Sequence, residues 1–249
     1  MPRFYIPPAA WKIDNLALDA GEAHHCRDVL RLAKGDRATV FNGRGVEATV
    51  VLEEPSRERI SLKVLQQTRS APLRAAITLG QAIPKGKNME LIVQKAVEIG
   101  AAEIAPIVSD RTIVQIDSNS ATQKQKKWQQ IAIEAAKQCG QNWLPRVHAP
   151  KKLAEFFSTS DQPFDLRLIG SLQPDAQQLK RILETYSSEH GDRPRSVLML
   201  VGPEGDFTPA ELALARRHGC QPITLGPIIL RVETAAIYCL SVLSYELLI

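Results

Sequence analysis

Residues 197–211 read VLMLVGPEGDFTPAE: a short apolar run, a loop with two glycines, and then a helix start. The apolar run predicts a buried strand, because it is short, continuous and bounded by loop residues. Thr208 and Glu211 have the spacing of a capping box, and Pro209 stands at the first helical position. The stretch therefore predicts a buried strand that is joined to a helix through a glycine-rich loop.

Similar apolar runs lie on both sides of this stretch and alternate with segments of helical spacing. These other runs are 77–82, 103–108, 166–170 and 222–226. Strands that alternate with helices indicate parallel β/α architecture, so we predict an α/β fold with a parallel sheet.

The ends of the intervening helices can also be placed. Asn88 is expected to cap a helix that runs to Ile99, with Gly100 just past its end. Apolar residues recur at helical spacing over 128–139, and Gly140 follows them. Two polar segments are expected to be loops: 117–125 and 186–196.

The amino-terminal part of the chain has a different periodicity. It contains runs rich in β-branched residues at 37–42, 46–53 and 59–66, and Asn42-Gly43-Arg44-Gly45 lies where a hairpin turn is needed. We therefore predict two domains, a small β-rich domain over residues 1–72 and an α/β domain over residues 73–249.

Composition limits the class of protein. The chain has 249 residues, of which 44% are hydrophobic and 23% charged, and its net charge is +4. These values are typical of a folded globular protein and are only mildly basic. We find neither a membrane-spanning segment nor a signal peptide, and the four cysteines show no paired spacing. We expect a cytoplasmic protein with reduced thiols.

Two loops at strand ends are candidates for a binding site. They are 200–208 and 225–234, and ligands of parallel α/β sheets bind at the carboxyl ends of the strands. Gly202, Gly205 and Gly226 would let the backbone approach a flat ligand closely. Neither a phosphate loop nor a Gly-x-Gly-x-x-Gly motif after a strand is present, which disfavours a cofactor bound through a pyrophosphate or triphosphate.

These residues are similar to a known family. VGPEGDFTPAE (201–211) and LGPIILRVETAA (225–236) resemble the signature of the RsmE family, the ribosomal RNA uridine N3-methyltransferases of the SPOUT class. Four other segments resemble further family motifs in the expected order: RFYI (3–6), HHCRDVLRLAKGD (24–36), KGKNMELIVQKAVEIGAAEIAPIVSDRT (85–112) and KWQQIAIEAAKQCGQ (127–141).

The resemblance implies a SPOUT-type parallel sheet with a carboxyl-terminal trefoil knot, preceded by a PUA-like β-barrel that binds RNA. It also implies a homodimer and S-adenosylmethionine as the cofactor. The expected reaction is methylation of N3 of a specific uridine in 16S ribosomal RNA of the assembled small subunit.

The resemblance and the loop positions together predict the cofactor site. Its expected residues are Ile169, Gly170, Leu200, Val201, Gly202, Glu204, Gly205, Leu225, Gly226, Ile228, Leu230, Thr234 and Ala235. Of these, Ile169, Leu200 and Leu225 have an alternative interpretation as strand core.

Three charged residues are candidates for the chemistry. Uracil N3 must lose a proton before it accepts a methyl group, so the site needs a proton acceptor and a cation near the uracil oxygens. Arg231 is the expected cation, and Glu204 or Glu233 the expected acceptor. Alternatively, Arg231 and Glu233 form a structural ion pair, and Glu204 only bonds its own loop.

The amino-terminal domain is expected to contact RNA through basic residues. The candidates are Arg3, His24, His25, Arg27, Arg31 and Lys34. A solvated charged face is the alternative, and His24 with His25 is too small a set to predict a metal site.

Four residues depart from the usual family pattern. Asp206 replaces a common glycine, Ile228 a common arginine, Lys137 a usual glutamate and Gln141 a frequent arginine. Asp206 and Ile228 motivate a second hypothesis, in which the chain is a non-catalytic RNA-binding or ribosome-assembly protein that retains the fold.

Overall fold

The structure is a computed structural model that describes residues 1–55, 59–112, 117–159 and 163–248. The chain divides into two compact units. The first comprises Met1–Pro72 and Ile133–Leu144, and the second Leu73–Ala132 and Pro145–Ile249. The sequence-based division at residue 72 did not anticipate that the segment 133–144 belongs with the amino-terminal residues.

The first unit is built on a five-stranded sheet. Its strands are β1 (Arg3–Tyr5), β2 (Ala17–Leu18), β3 (Arg37–Phe41), β4 (Val46–Pro55) and β5 (Ile60–Arg69), in the order β1-β3-β4-β5-β2. Only the β1–β3 pairing is parallel. A short helix α1 (Ala20–His24) continues into a π-helical turn over His25–Val29.

The predicted hairpin turn joins β3 to β4. The side-chain oxygen of Asn42 accepts hydrogen bonds from the backbone N–H groups of Arg44 at 2.8 Å and Val46 at 3.2 Å. Gly43 and Gly45 have φ angles of 70° and 81°, which side chains with a Cβ rarely adopt. The turn therefore needs both glycines and the asparagine.

A buried ion pair lies in the first unit. The ammonium of Lys137 donates to both carboxylate oxygens of Glu22, at 3.1 and 3.0 Å, and also lies 5.8 Å from the centre of the Phe4 ring. Only 8% of the Lys137 side chain is exposed. Burial raises the pKa of Glu22, and the nearby Lys137 ammonium only partly offsets this. The pair links the segment 133–144 to the amino-terminal residues of the unit.

The second unit contains the predicted parallel sheet. Its strands are β6 (Ala76–Ala82), β7 (Glu103–Val108), β8 (Arg146–Val147), β9 (Lys151–Lys152), β10 (Leu166–Gly170), β11 (Gln177–Gln178), β12 (Ser196–Val201) and β13 (Gln221–Thr224). Their order is β11-β13-β10-β12-β6-β7-β8, with β9 beside β7, and every pairing is parallel. The α/β prediction is thus confirmed.

Within the described ranges, six further α-helices follow α1. They are α2 (Asn88–Ile99), α3 (Ser118–Cys139), α4 (Leu153–Thr159), α5 (Leu179–His190), α6 (Pro209–Arg217) and α7 (Val232–Leu247). In α2, Met89, Ile92, Val93, Ala96 and Val97 are buried at helical spacing, and α2 packs against α7. No helix of the described ranges is long and apolar enough to cross a membrane.

Helix ends both support and correct the sequence analysis. Gly100, with φ 97°, closes α2, and Thr208 forms the predicted capping box at the start of α6. The predicted loop 117–125 is wrong, because α3 begins at Ser118, and the predicted loop 186–196 is partly wrong, because α5 continues to His190. In the helical parts of both segments the polar side chains that the structure describes face solvent, so polarity alone did not indicate a loop. Asn88 does not cap α2 but is its first residue.

The Lys137 pair generates a test of stability. Lys137→Met leaves the Glu22 carboxylate buried without its cation, which should lower the free energy of unfolding by about 3–5 kcal/mol. Glu22 then binds a proton more readily in the folded than in the unfolded state, so the loss should grow as pH rises through the folded pKa and shrink in acid.

Urea denaturation followed by tryptophan fluorescence measures both effects. Lys126→Met, at an exposed position of α3, is the matched control. Glu22→Gln with Lys137→Met should recover much of the stability, because no buried charge remains. A Lys137→Met protein as stable as the control would show that the ion pair does not stabilise this unit.

Candidate active site

A large cavity lies where the central strands of the second unit end. Its volume is about 870 Å³. Its wall consists of residues 170–173 after β10, 201–206 after β12 and most of 224–235 after β13, together with Asn88 of α2. Adjacent parallel strands end at one edge of a sheet, so their loops meet there to form a pocket.

The loop after β12 has little space for a side chain at Gly202. A Cβ added to Gly202 would come within 3.2 Å of the Asp206 carboxylate and of the Phe207 backbone nitrogen. Asp206 itself has φ 63°, and its carboxylate accepts from the Phe207 N–H at 2.7 Å and the Leu172 N–H at 3.4 Å. Asp206 therefore links the loop after β12 to the loop after β10.

The buried carboxylate of Glu211 holds the same loop from the opposite side. It accepts hydrogen bonds from the backbone N–H of Thr208 at 2.9 Å and of Asp110 at 3.0 Å, and from the hydroxyls of Thr208 at 3.0 Å and Ser109 at 3.2 Å. Only 6% of Glu211 is exposed. One side chain thus joins the end of the loop after β12 to the loop after β7. Arg111 adds a hydrogen bond to the Gly205 carbonyl.

Charged groups of the cavity wall come from the segments after β12 and β13 and are mostly carboxylates. Glu204 accepts a hydrogen bond from the Lys85 backbone N–H at 2.9 Å, and Glu233 accepts one from the Asn88 amide at 3.1 Å. Arg231 directly precedes α7 and is exposed, and its side chain has no hydrogen-bond or ion-pair partner among the described residues. The wall therefore combines carboxylates of fixed position with one available guanidinium.

Comparisons with known proteins identify the family. An RNA methyltransferase domain model matches residues 71–244, and an RNA methyltransferase PUA domain model matches residues 18–65. This chain belongs to the RNA methyltransferase family. It is 31% identical to the ribosomal RNA small subunit methyltransferase E of Bacillus subtilis, over 99% of this chain and 97% of that protein.

Solved structures of similar methyltransferases hold a cofactor. A Legionella pneumophila methyltransferase structure in complex with the bound cofactor SAM has a TM-score of 0.86 and 32% identity, and the match covers 98% of this chain and 97% of that one. The ribosomal RNA small subunit methyltransferase E of Neisseria gonorrhoeae, bound to S-adenosyl methionine, has a TM-score of 0.84 and 30% identity, with 99% and 98% covered.

Most residues that sequence analysis proposed for the site of this methyltransferase line the cavity. These are Gly170, Val201, Gly202, Glu204, Gly205, Leu225, Gly226, Ile228, Leu230, Arg231, Glu233 and Ala235. Ile169, Leu200 and Thr234 are not among the lining residues. Ile169 and Leu200 are fully buried in a hydrophobic cluster, which agrees with their alternative interpretation as core, and Thr234 is exposed.

Ten further residues line the cavity but were not named individually as site residues, although five of them lie in the candidate loops 200–208 and 225–234. They are Asn88, Ser171, Leu172, Gln173, Pro203, Asp206, Thr224, Pro227, Ile229 and Val232. Ser171 to Gln173 directly follow the predicted strand 166–170, so the rule that strand ends carry the site could have found them. Asn88 had no such signal, because its position depends on how α2 packs against α7.

Two structural alternatives were open for the charged residues: an ion pair between Arg231 and Glu233, and a bond from Glu204 to its own loop. The Glu233 carboxylate is bonded to Asn88, and no ion pair between Arg231 and Glu233 is present among the described residues. Glu204 bonds Lys85, which lies outside its own loop. Neither alternative therefore describes the observed contacts.

The residues that sequence analysis proposed for RNA contact lie in the first unit in different environments. The guanidinium of Arg3 bonds Glu47 at 2.8 Å and Asn142 at 2.7 Å. Both Arg27 and His24 bond the carboxylate of Asp28, and together they lower its pKa to about 2.

The other three candidates for RNA contact also differ in exposure. The His25 ring packs edge-on against Phe4, whereas Arg31 and Lys34 are exposed. Throughout the described ranges, no three His, Cys, Asp or Glu side chains are grouped as metal ligands would be.

Glu211→Gln tests the importance of the loop anchor. Glutamine replaces one acceptor oxygen with a donor, so at least one buried N–H or O–H loses its partner. The free energy of unfolding should fall by about 1–3 kcal/mol. Glu184→Gln is the control, because Glu184 is 66% exposed and lies 3.9 Å from Lys180. Equal urea denaturation curves for the two variants would show that Glu211 is not an anchor.

Proposed function

We propose that this protein methylates N3 of a uridine in 16S ribosomal RNA of the assembled small subunit, with S-adenosylmethionine as the methyl donor. The cavity at the strand ends carries this proposal, because it combines an available guanidinium with the candidate proton acceptors Glu204 and Glu233 in a chain of the RNA methyltransferase family. Residues 1–72 are the proposed RNA-binding domain and residues 73–249 the proposed catalytic domain. The same proposal includes a trefoil knot, a closed PUA-like barrel, a homodimer and a cytoplasmic location.

The cavity fits S-adenosylmethionine in size and charge. Its volume of about 870 Å³ lies in the range of pockets for ligands of that size. Three carboxylates, Glu204, Asp206 and Glu233, line it with the single guanidinium of Arg231. This balance favours a ligand with positive charge. Gly226, with φ 112° and open space beside its Cα, leaves room for a flat ring against the backbone.

We propose that the three loops after β10, β12 and β13 bind S-adenosylmethionine. Their backbone groups can bond the adenosine, and the apolar side chains of Ile228, Ile229 and Leu230 can cover it. S-adenosylmethionine supplies a methyl group on a positively charged sulfur. The remaining chemistry concerns the uracil, whose N3 carries a proton at neutral pH.

Arg231 and the carboxylates are proposed to act on that uracil. Removal of the N3 proton places negative charge on the uracil oxygens, and a guanidinium can stabilise this charge in a site that excludes water. Glu204 and Glu233 each have one carboxylate oxygen without a bond to the described residues, so either one can accept the proton. Asn88 is a positioning residue, because its amide orients Glu233.

Mass spectrometry of reacted RNA tests the function directly. Under-methylated small subunits incubated with the protein and S-adenosylmethionine should gain one methyl group on N3 of a uridine in 16S ribosomal RNA. Modification of another base or of a ribose would refute the N3 assignment. A protein that binds subunits but neither binds S-adenosylmethionine nor transfers methyl would be the non-catalytic alternative.

Arg231→Ala tests the proposed catalytic cation. Loss of one such donor should slow single-turnover methylation on the order of a hundredfold or more, while cofactor affinity changes much less. Arg231→Lys retains the charge but not the planar donor pair, and should give an intermediate rate. Circular dichroism checks folding. A folded Arg231→Ala protein that methylates at the parental rate would exclude the catalytic role.

A further inference from the structure

The loop 83–87 between β6 and α2 exposes two lysines. Gly86, with φ 67°, makes the tight turn between Lys85 and Lys87. Both lysines are exposed, and neither ammonium has a hydrogen-bond or ion-pair partner among the residues that the structure describes. Their positive charges are therefore available to a partner molecule.

Lys85 in this loop and Asn88, which directly follows it, both contact the cavity wall. The backbone N–H of Lys85 donates to Glu204 at 2.9 Å, and the side-chain amide of Asn88 donates to Glu233 at 3.1 Å. Both acceptors line the cavity, and so does Asn88 itself. The lysines are thus held beside the cavity by short contacts with its candidate catalytic carboxylates.

The negative charge of the cavity wall gives the position of Lys85 and Lys87 a consequence for RNA binding. A wall with three carboxylates and one guanidinium repels a polyanion, although the proposed substrate is RNA. Approach of an RNA strand therefore needs positive charge at the edge of the cavity. A lysine ammonium binds phosphate as a compact point charge and does not depend on base sequence. Lys85 and Lys87 supply such positive charges and lie beside the cavity.

We propose that Lys85 and Lys87 bind the backbone phosphates of the RNA strand beside the target nucleotide, and so hold that nucleotide over the cavity. This inference rests on the proposed function and adds a phosphate-binding surface on the catalytic domain to the RNA contacts expected from residues 1–72. The backbone hydrogen bond of Lys85 does not require its side chain, so the lysines can be replaced without removing the contact with Glu204.

Lys85→Ala with Lys87→Ala is the test variant. Lys126→Ala with Lys180→Ala is the matched control, because it removes the same charge from exposed helix positions of the same unit. Methylation of under-methylated small subunits is measured at several salt concentrations, and S-adenosylmethionine binding is measured by calorimetry.

The test variant should raise the KM for subunits on the order of tenfold at moderate salt, and the control should change it little. Because single-stranded contacts contribute about 0.7 per phosphate to the slope of log affinity against log salt, the slope should fall by about 1.4. Cofactor affinity should stay at the parental value. Lys85→Arg with Lys87→Arg, which preserves both charges, should retain parental KM.

Two results would overturn the inference. The first is that the test variant has the same KM and salt slope as the control. The second is that the test variant has a lower kcat with an unchanged KM for subunits, which would assign the loop to the chemical step instead of to RNA binding. Failure of the parent protein to bind S-adenosylmethionine or to methylate subunits would instead refute the proposed function, so the two failures are distinguishable.

Discussion

The buried carboxylate of Glu211 is the contact on which the geometry of the site depends. It lies in the first turn of α6, where its burial would be unfavourable without partners, and four donors from the loops after β7 and β12 satisfy it. A surface capping box stabilises only its own helix. Here the same motif also orders two loops, because Glu211 reaches Ser109 and Asp110 as well as Thr208. The strand ends alone would leave these loops free to separate.

Polar contacts of the same kind position the charged groups that we propose for the reaction. Asp206, Glu204 and Glu233 are each held by an N–H group from another part of the unit, and these bonds determine where the negative charges of the cavity lie. Arg231 differs, because its side chain is exposed and has no partner among the described residues. A guanidinium that must respond to charge on a substrate has to be available before the substrate arrives. The arrangement thus separates a fixed acidic wall from an available cation.

Local patterns in the sequence predicted the parallel sheet, the hairpin turn and most of the cavity wall. Each of these depends on residues close in sequence, such as the apolar run at 197–201 or the glycines beside Asn42. Two features depend on long-range packing and had no local pattern. The bond between Asn88 and Glu233 requires α2 to pack against α7, and Lys137 forms its ion pair with a residue 115 positions away. Family resemblance marked Lys137 as unusual but could not identify Glu22 as its partner.

The departures from the family pattern affect the two sides of the cavity differently. Asp206 adopts a left-handed φ that typically costs a residue with a Cβ about 1–3 kcal/mol, but its carboxylate accepts hydrogen bonds from the backbone N–H groups of Phe207 and Leu172. The backbone strain at Asp206 and the hydrogen bonds of its carboxylate therefore have opposite effects on the stability of the loop, and the loop keeps its shape. Ile228 is 74% exposed on the cavity wall, at a position where the family resemblance led us to expect an arginine, and its side chain carries no charge. Since Arg231 is the only cation in 225–235, the proposed recognition of RNA in this chain has to use cations from outside that loop, and Lys85 and Lys87 are positioned to provide them.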